Sequence, residues 1–374
     1  MRQAGRGQPP GGGGERPGAG GPPHREGSTA PESGVTELPR PASPAPRPER
    51  RRKRLGVIGT FVWDVIYGRD PRDLPVEEWG GITYALAALD AALPDDWEIV
   101  PIMKVGSDLA GRAREFLAPM RRLAPDASLV EVPYPNQRVE LRYQSDERRS
   151  EVLSGGVPGW SWLGLKPLIA NLDALYVNFL SGWELDLETA QLLRQHFRGP
   201  IYCDLHMLVM AVQPSGLRTP RPLPNAAEWC RCFDLLQVNE DELATMAPDP
   251  LALAATALGA GVRALNVTLG SRGAVYFAAP GFERLADLAK PAPLGLSLGP
   301  IRTERVPAAV PRLAGPGDPT GCGDVWGATY YSRLVAGDNL GDAMRAAHAA
   351  AARNVEHRGA TGLANHLRGE LSLT

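Results

Sequence analysis

The sequence predicts an α/β protein built on a mostly parallel sheet with helices on both faces. Three observations carry this. Short, wholly apolar runs suited to strands buried on both sides alternate with segments of helical period. Four of those runs end in Asn, Asp or Gly, and the carboxyl ends of parallel strands are where open α/β sheets place ligands. Finally, once a segment poor in apolar residues is set aside, about 320 of the 374 residues remain, enough to bury one large core.

The segment set aside is 1–54. It has no aromatic and hardly any aliphatic residue, so it cannot bury a core and reads as a disordered Gly/Pro/Arg-rich basic tail. Its net charge is +6, leaving −8 on residues 55–374, although the whole chain is nearly balanced at −2. An acidic body argues against a dedicated nucleic-acid-binding domain. The run Arg47 to Arg54 stays open to several readings: a solvated linker, a polybasic arm for nonspecific contact with nucleic acid or an anionic surface, or an upstream extension without a role. Four widely spread cysteines give no disulfide framework or zinc pattern. No apolar stretch reaches the roughly 18 residues of a membrane span, and no secretory signal opens the chain, so the expected location is the cytoplasm.

The elements follow in order. Leu55–Thr60 is a buried strand ending at a Gly-containing turn. A helix follows Gly80-Gly81, with Tyr84, Leu86, Ala87, Leu89 and Ala91 as its apolar face and Leu93-Pro94 as its end. Residues 99–106 read as a strand and 109–123 as a helix. Between 128 and 153 the period changes, because Val130, Val132, Val139, Leu141 and Tyr143 alternate with polar residues. That is a half-exposed strand pair, either a flap over a cleft or an edge hairpin. Strands recur at 174–178, 201–204, 235–239, 264–270 and 274–277.

The strongest local signal is Gly317-Asp318-Pro319-Thr320-Gly321-Cys322-Gly323-Asp324, followed by a helical run from Val325 to Leu334. A Gly-x-Gly turn opening a helix points backbone N–H groups into one volume, and the helix dipole adds positive potential there. An Asp in the first turn stands beside that anion hole, able to take a proton from a hydroxyl while the hole stabilises a transferring phosphoryl group. The plainer alternative is a tight turn with Asp324 as an ordinary N-terminal residue. The segment is neither a Walker A loop nor a dinucleotide fingerprint.

The octapeptide resembles the C-terminal signature of the ribokinase-like, or PfkB, carbohydrate and nucleoside kinases. Further segments match that family in order: Gly80-Gly81, Val105-Gly106-Ser107-Asp108-Leu109-Ala110-Gly111, Asn239-Glu240-Asp241-Glu242, and Thr268-Leu269-Gly270-Ser271-Arg272-Gly273-Ala274. The resemblance covers residues 55 to about 370. It implies a ribokinase-like three-layer sandwich with a mostly parallel central sheet and a small β lid, about 61–80 and 128–153, within one kinase domain, 55–374. It implies ATP-dependent phosphoryl transfer to a hydroxyl of a small sugar or sugar-like metabolite. Asp324 would be the base, and the amides of Gly321, Cys322 and Gly323 the anion hole. Asp64, Gly80 and Gly81 would meet the substrate. Asn239, Thr268, Gly270 and Gly273 would meet the nucleotide, and Glu242 would organise Mg²⁺ directly or through water. The same resemblance allows a monovalent cation and a monomer or homodimer.

His206, Trp160 and Trp162 are left outside the catalytic set, as residues that more often serve structure. One departure bears on the substrate. The Asn that commonly follows the Gly-Gly element is Ala85 here, preceded by Tyr84. This leaves room for a less hydroxyl-rich substrate or one with a stacking ring, so a nucleoside kinase is the alternative, as is an inactive ligand-sensing relative. Arg138, Arg142, Arg148 and Arg149 give the flap a cationic character, read as a solvated strand face or as a site for an acidic sugar.

Overall fold

Eight strands form the central sheet of the computed structural model, in the order 302–306, 274–278, 264–268, 235–239, 201–204, 174–178, 53–58, 97–102. The structure describes residues 51–68, 74–143, 149–289, 300–313 and 317–370, so residues 1–50 lie outside it, as do 69–73 and 144–148 of the two expected lid segments. Residues Arg51–Thr374 form one unit.

In chain order the strands are β1 (Lys53–Ile58), β2 (Phe61–Tyr67), β3 (Val76–Gly81), β4 (Trp97–Ile102), β5 (Lys104–Gly106), β6 (Val130–Val132), β7 (Gln137–Tyr143), β8 (Arg149–Ser154), β9 (Ala174–Asn178), β10 (Ile201–Asp204), β11 (Met210–Val212), β12 (Arg218–Pro220), β13 (Leu235–Asn239), β14 (Ala264–Thr268), β15 (Ala274–Ala278) and β16 (Arg302–Val306). From β4 through β14 the large sheet is parallel, and β15 and β16 close it antiparallel.

Alternation along each central strand sends side chains into two separate cores, as a sheet covered on both faces requires. Tyr176 and Tyr202 face the helices Ile82–Ala92, Cys322–Val335 and Leu340–Val355. Leu175, Val177 and Cys203 face the other layer, with Leu193, Trp229 and Leu253. Tyr176 stacks on Tyr202 at 5.1 Å and Tyr202 on Tyr331 at 5.2 Å, so an aromatic column seats the Cys322 helix on the sheet. Gly327 lets that helix come close, because a Cβ there would press on Tyr202 Oη and Gln237 Oε1.

A second sheet, β3-β2-β7-β8, stands beside the carboxyl ends of the central strands as a lid. Val62, Asp64, Val139, Leu141 and Glu151 share its inner face, and Trp63, Trp79, Arg138 and Arg142 its outer one. The expected strand pair within 128–153 is divided differently. β6 joins β5, and only β7 and β8 belong to the lid. The single strand expected over 99–106 is likewise two, β4 and β5.

The tail boundary also shifts. Lys53 and Arg54 already pair in register with Trp97 and Glu98, and Arg51 reaches Asp173 at 2.9 Å. Lys53 meets Asp96, and Arg54 meets Glu98 and Asp126. These acidic partners make the last cations of the basic run part of the amino-terminal end of the central sheet.

The Val105–Gly111 segment anchors the lid. Asn136, fully buried, accepts from the Gly106 amide at 3.0 Å and donates to Phe61 O at 2.9 Å and Gln137 O at 3.1 Å. Asp108 accepts from the Asn136 amide at 2.7 Å and from Arg138 at 3.0 Å, and together these hold its carboxyl below the usual range against the opposing effect of burial. A side chain at Gly106 would overlap the Asn136 backbone, so glycine is required at this junction.

Candidate active site

The carboxyl ends of β10, β13 and β14, the start of the Cys322 helix and the inner face of the lid line a cavity of about 220 Å³. Its lining includes Asp64, Gly81, Glu151, Asp204, His206, Arg218, Gln237, Asn239, Glu242, Thr268, Thr320, Gly321, Gly323 and Asp324, with Val62, Val139, Leu141, Leu180 and Met207 as its apolar wall.

Asp324 lies in the first turn of its helix, where the leading amides have no intrahelical acceptor. The Cys322 amide is the exception to the expected anion hole. It donates to Pro319 O at 3.1 Å, closing the turn, and Cys322 does not line the cavity. Gly321 and Gly323 do. Gly321 has φ +73°, and a Cβ there would also overlap the ring of Tyr84, so only glycine fits. Asn354 ties down the loop from below, donating to Thr320 O at 2.8 Å.

Asn178, at the end of β9, donates from Nδ2 to Asp324 Oδ1 at 2.6 Å. Burial pushes the Asp324 carboxyl up to about 6, against the opposing pull of the His206 charge and the Asn178 amide. Gln237 links three pieces: it donates to Asp204 Oδ2 at 2.8 Å and Gly323 O at 3.2 Å, and accepts from Tyr202 Oη. The helix start is thereby fastened to β10 and β13.

Asn239 and Glu242 form a capping box at the head of the helix Glu240–Met246. The Asn239 amide donates to Glu242 Oε2 at 2.8 Å, Asn239 Nδ2 to Glu242 Oε1 at 2.7 Å, and the Glu242 amide to Asn239 Oδ1 at 2.8 Å. His206 adds a further donor to Glu242 Oε1 at 2.8 Å. Burial opposes charge on His206, but the hydrogen bond and charge of Glu242, with Asp204 and Asp324 nearby, outweigh it and push the imidazole up to about 9. His206 holds a left-handed backbone, φ 27°, which a non-glycine residue adopts at a cost. Burial, and then the Glu242 charge, push the Asp204 carboxyl well above the ordinary range.

On the acceptor side Asp64 is 8% exposed and faces the cavity from β2. A Cβ on Gly80 would overlap its carboxylate, so Gly80 makes room for Asp64, while Gly81, with φ +56°, itself lines the cavity. Thr268 lines the opposite side. Gly270 and Gly273 do not line it. Gly270 has open space around its Cβ position, whereas Gly273 packs against the Val306–Ala308 backbone, where a side chain would collide.

The structure thus gathers Asp324, Gly321, Gly323, Asp64, Gly81, Asn239, Glu242 and Thr268, and adds Asn178, Asp204, His206, Arg218, Glu151 and Gln237. Asn178 and Asp204 carried a sequence signal, as polar ends of apolar strands. Tyr84 departs from expectation: 1% exposed and seated against Gly321, it presents no ring to an acceptor. Of the flap cations, Arg138 is paired with Asp108, and Arg142 is paired with Glu140 at 2.9 Å and lies 3.8 Å over Tyr67, both on the outer face. Arg148 and the Arg149 side chain lie outside the described residues.

The family model for pfkB family carbohydrate kinases matches residues 207–366. No curated protein matches the sequence. Among solved structures, a pyrophosphate-dependent kinase of the ribokinase family, in complex with a pyrophosphate analogue and myo-inositol, is 16% identical with a TM-score of 0.65, covering 84% of this chain and 99% of its own. Arabidopsis thaliana ribokinase with ribose and ATP is 18% identical with a TM-score of 0.60, covering 87% and 100%. A Burkholderia thailandensis nucleoside kinase with inosine is 17% identical with a TM-score of 0.57, covering 83% and 94%. The chain is a ribokinase-fold protein whose residues 207–366 carry the pattern of the PfkB family.

Proposed function

We propose that the protein is a phosphotransferase that moves the terminal phosphoryl group of ATP to a hydroxyl of a small sugar or sugar-like polyol. The observation that carries this reading is the meeting of Asp324, at a glycine-opened helix N-terminus, with Asp64 in one cavity beneath the lid. At about 220 Å³ the cavity is smaller than the roughly 300–1,000 Å³ typical of drug-sized ligands, which favours a monocyclic acceptor. The buried position of Tyr84 removes the stacking ring, one of the two features that favoured a nucleoside, while Ala85 in place of Asn stays.

In this reading Asp324 Oδ1 is held by Asn178, and Oδ2 takes the proton of the attacking hydroxyl. The first-turn amides and the helix dipole meet the oxygens of the phosphoryl group, in a site where positioning and electrostatics supply most of the rate. Val62, Val139 and Leu141 of the lid exclude water, the competing acceptor.

The residues present fit Mg²⁺ and ATP. Among the described residues no three His, Cys, Asp or Glu side chains form a cage for a metal by themselves, which suits an ion that is held largely by phosphate oxygens and water. Glu242 already accepts three hydrogen bonds, leaving one lone-pair direction, so it would hold the ion through water, with Asp204 beside it. Mg²⁺ supplies neutralisation of the developing phosphate charge when bound. Thr268 and the bare backbone at Gly270 offer the nucleotide a close approach.

The test is product release from wild type and Asp324→Asn against monosaccharides, cyclitols and nucleosides, with Mg-ATP and Mg-pyrophosphate as alternative donors. Turnover of a monocyclic polyol that vanishes in the variant is the expected result. Ligand-induced thermal stabilisation without turnover on any substrate would instead identify a sensor.

A further inference from the structure

The hairpin β11–β12 follows β10 and joins the lid edge: Leu217 bridges to Val152, and the Leu153 amide donates to Gly216 O at 2.8 Å. This placement brings Arg218 under the lid. Arg218 is 8% exposed and lines the cavity. Its guanidinium donates to Leu180 O at 2.7 Å and to Glu151 Oε2 at 3.3 Å. A guanidinium carries five N–H donors, and these two bonds use one hydrogen on each Nη of a residue that lines the cavity. Burying such a charge is costly unless it is well paired and hydrogen-bonded, and a buried donor left over in a cavity calls for a ligand to complete it.

The wall around Arg218 narrows what that ligand is. On the acceptor side of the lining Asp64 and Glu151 outnumber Arg218, so an anionic substituent on the acceptor is repelled there, whereas the phosphoryl donor would meet the positive end of the Cys322 helix instead. The apolar wall of Val62, Val139, Leu141, Leu180 and Met207 suits the C–H face of a ring. A guanidinium donor next to a carboxylate acceptor matches two adjacent hydroxyls, one accepting and its neighbour donating.

We propose that Arg218 and Glu151 are the specificity pair of this cavity, gripping a vicinal diol of a neutral cyclic polyol and rejecting acidic sugars. The proposal deepens the kinase reading, since it names the acceptor of that same site, yet it is testable by binding alone.

The experiment is calorimetric binding to the full chain of D-glucose, ribose and myo-inositol, their single-deoxy analogues, and glucuronate as the acidic counterpart of glucose. It is run on wild type, Arg218→Met, Arg218→Lys and Glu151→Gln, with circular dichroism to confirm folding and turnover measured in parallel with both donors. At least one neutral polyol should bind tenfold or more tightly than its deoxy analogue, and glucose tighter than glucuronate. Arg218→Met and Glu151→Gln should each lose about tenfold in affinity together with the deoxy discrimination. Arg218→Lys, which keeps the charge but not the fork, should retain the preference against glucuronate while losing the deoxy discrimination. Should Arg218→Met fail to fold, Arg218→Lys and Glu151→Gln decide the matter. Wild-type affinity in folded variants, a preference for glucuronate, or no polyol binding at all overturns the proposal. Polyol binding that depends on the pair without transfer from either donor would sink the kinase reading alone, and transfer with an unchanged KM in the variants would sink this one alone.

Discussion

Asn178 and Asp324, 146 positions apart in sequence, meet through a hydrogen bond of 2.6 Å from Nδ2 to Oδ1. The bond occupies Oδ1, so in the proposed reaction Oδ2 is the oxygen left for the hydroxyl. Replacing Asp324 by Asn removes the proposed base without changing its shape, so turnover should fall about 10²–10⁴-fold with the melting temperature kept or raised. Unchanged turnover would show that the proton goes elsewhere.

The same contact sets a pH dependence. Asp324 must be ionised to act as the proposed base, and with its carboxyl at about 6 the rate should decline as pH falls through that value. Asn178 favours the ionised form, so Asn178→Ala should move the acid limb of the rate profile to higher pH. A limb that stays in place in the variant would disconnect Asn178 from the titrating group.

His206 and Glu242 predict a stability change at the opposite end of the scale. The imidazole is raised from its ordinary value near 6.5 to about 9. Its contribution is therefore complete below pH 6.5 and lost as pH rises toward 9. Thermal melts of wild type should drop across that window, and His206→Gln should flatten the drop. Parallel curves for the two proteins would show that another group titrates.

Tyr84 and Gly321 separate a ring from its hydroxyl. The ring supports the Gly321 turn, while the buried Tyr84 hydroxyl has no hydrogen-bond partner among the described residues. Tyr84→Phe should be neutral or stabilising in denaturant melts, because removing an unsatisfied polar group removes its desolvation cost. Tyr84→Ala should cost about 3–5 kcal/mol through the cavity it leaves. Gly321→Ala should cost about 1–3 kcal/mol from backbone strain alone and more from the ring.

At the lid junction, Asn136→Ala leaves the Gly106 amide and Phe61 carbonyl unpaired in a buried place. A loss of about 1–3 kcal/mol is expected, with hydrogen exchange rising first in β2 and β7. Uniform exchange across the whole protein would mean that the junction does not act on the lid.

Much of this was legible in the sequence where a single strand or turn carries the signal. The apolar runs located the central strands, and Gly317–Asp324 located the helix start, because glycine spacing and helix onset are local properties. Asn178 and Asp204 stood at strand ends in plain view, but their partners are set by the parallel order of β9, β10 and β13, which no local pattern encodes. Arg218 and Gln237 were invisible for the same reason: a cation in a short hairpin and an amide inside a strand acquire meaning only from what the fold places opposite them. The Cys322 amide went the other way, since the turn that opens the helix consumes the donor that the motif seemed to offer.

Strand β3 runs into the helix Ile82–Ala92 with no intervening loop, and Tyr84, in the first turn of that helix, rests on Gly321. The lid is therefore geared to the helix start rather than hung from a free joint on this side. A displacement of β3 cannot be taken up by a loop on this side, so its first mechanical neighbour beyond the helix is the Gly321 turn, reached through one aromatic ring.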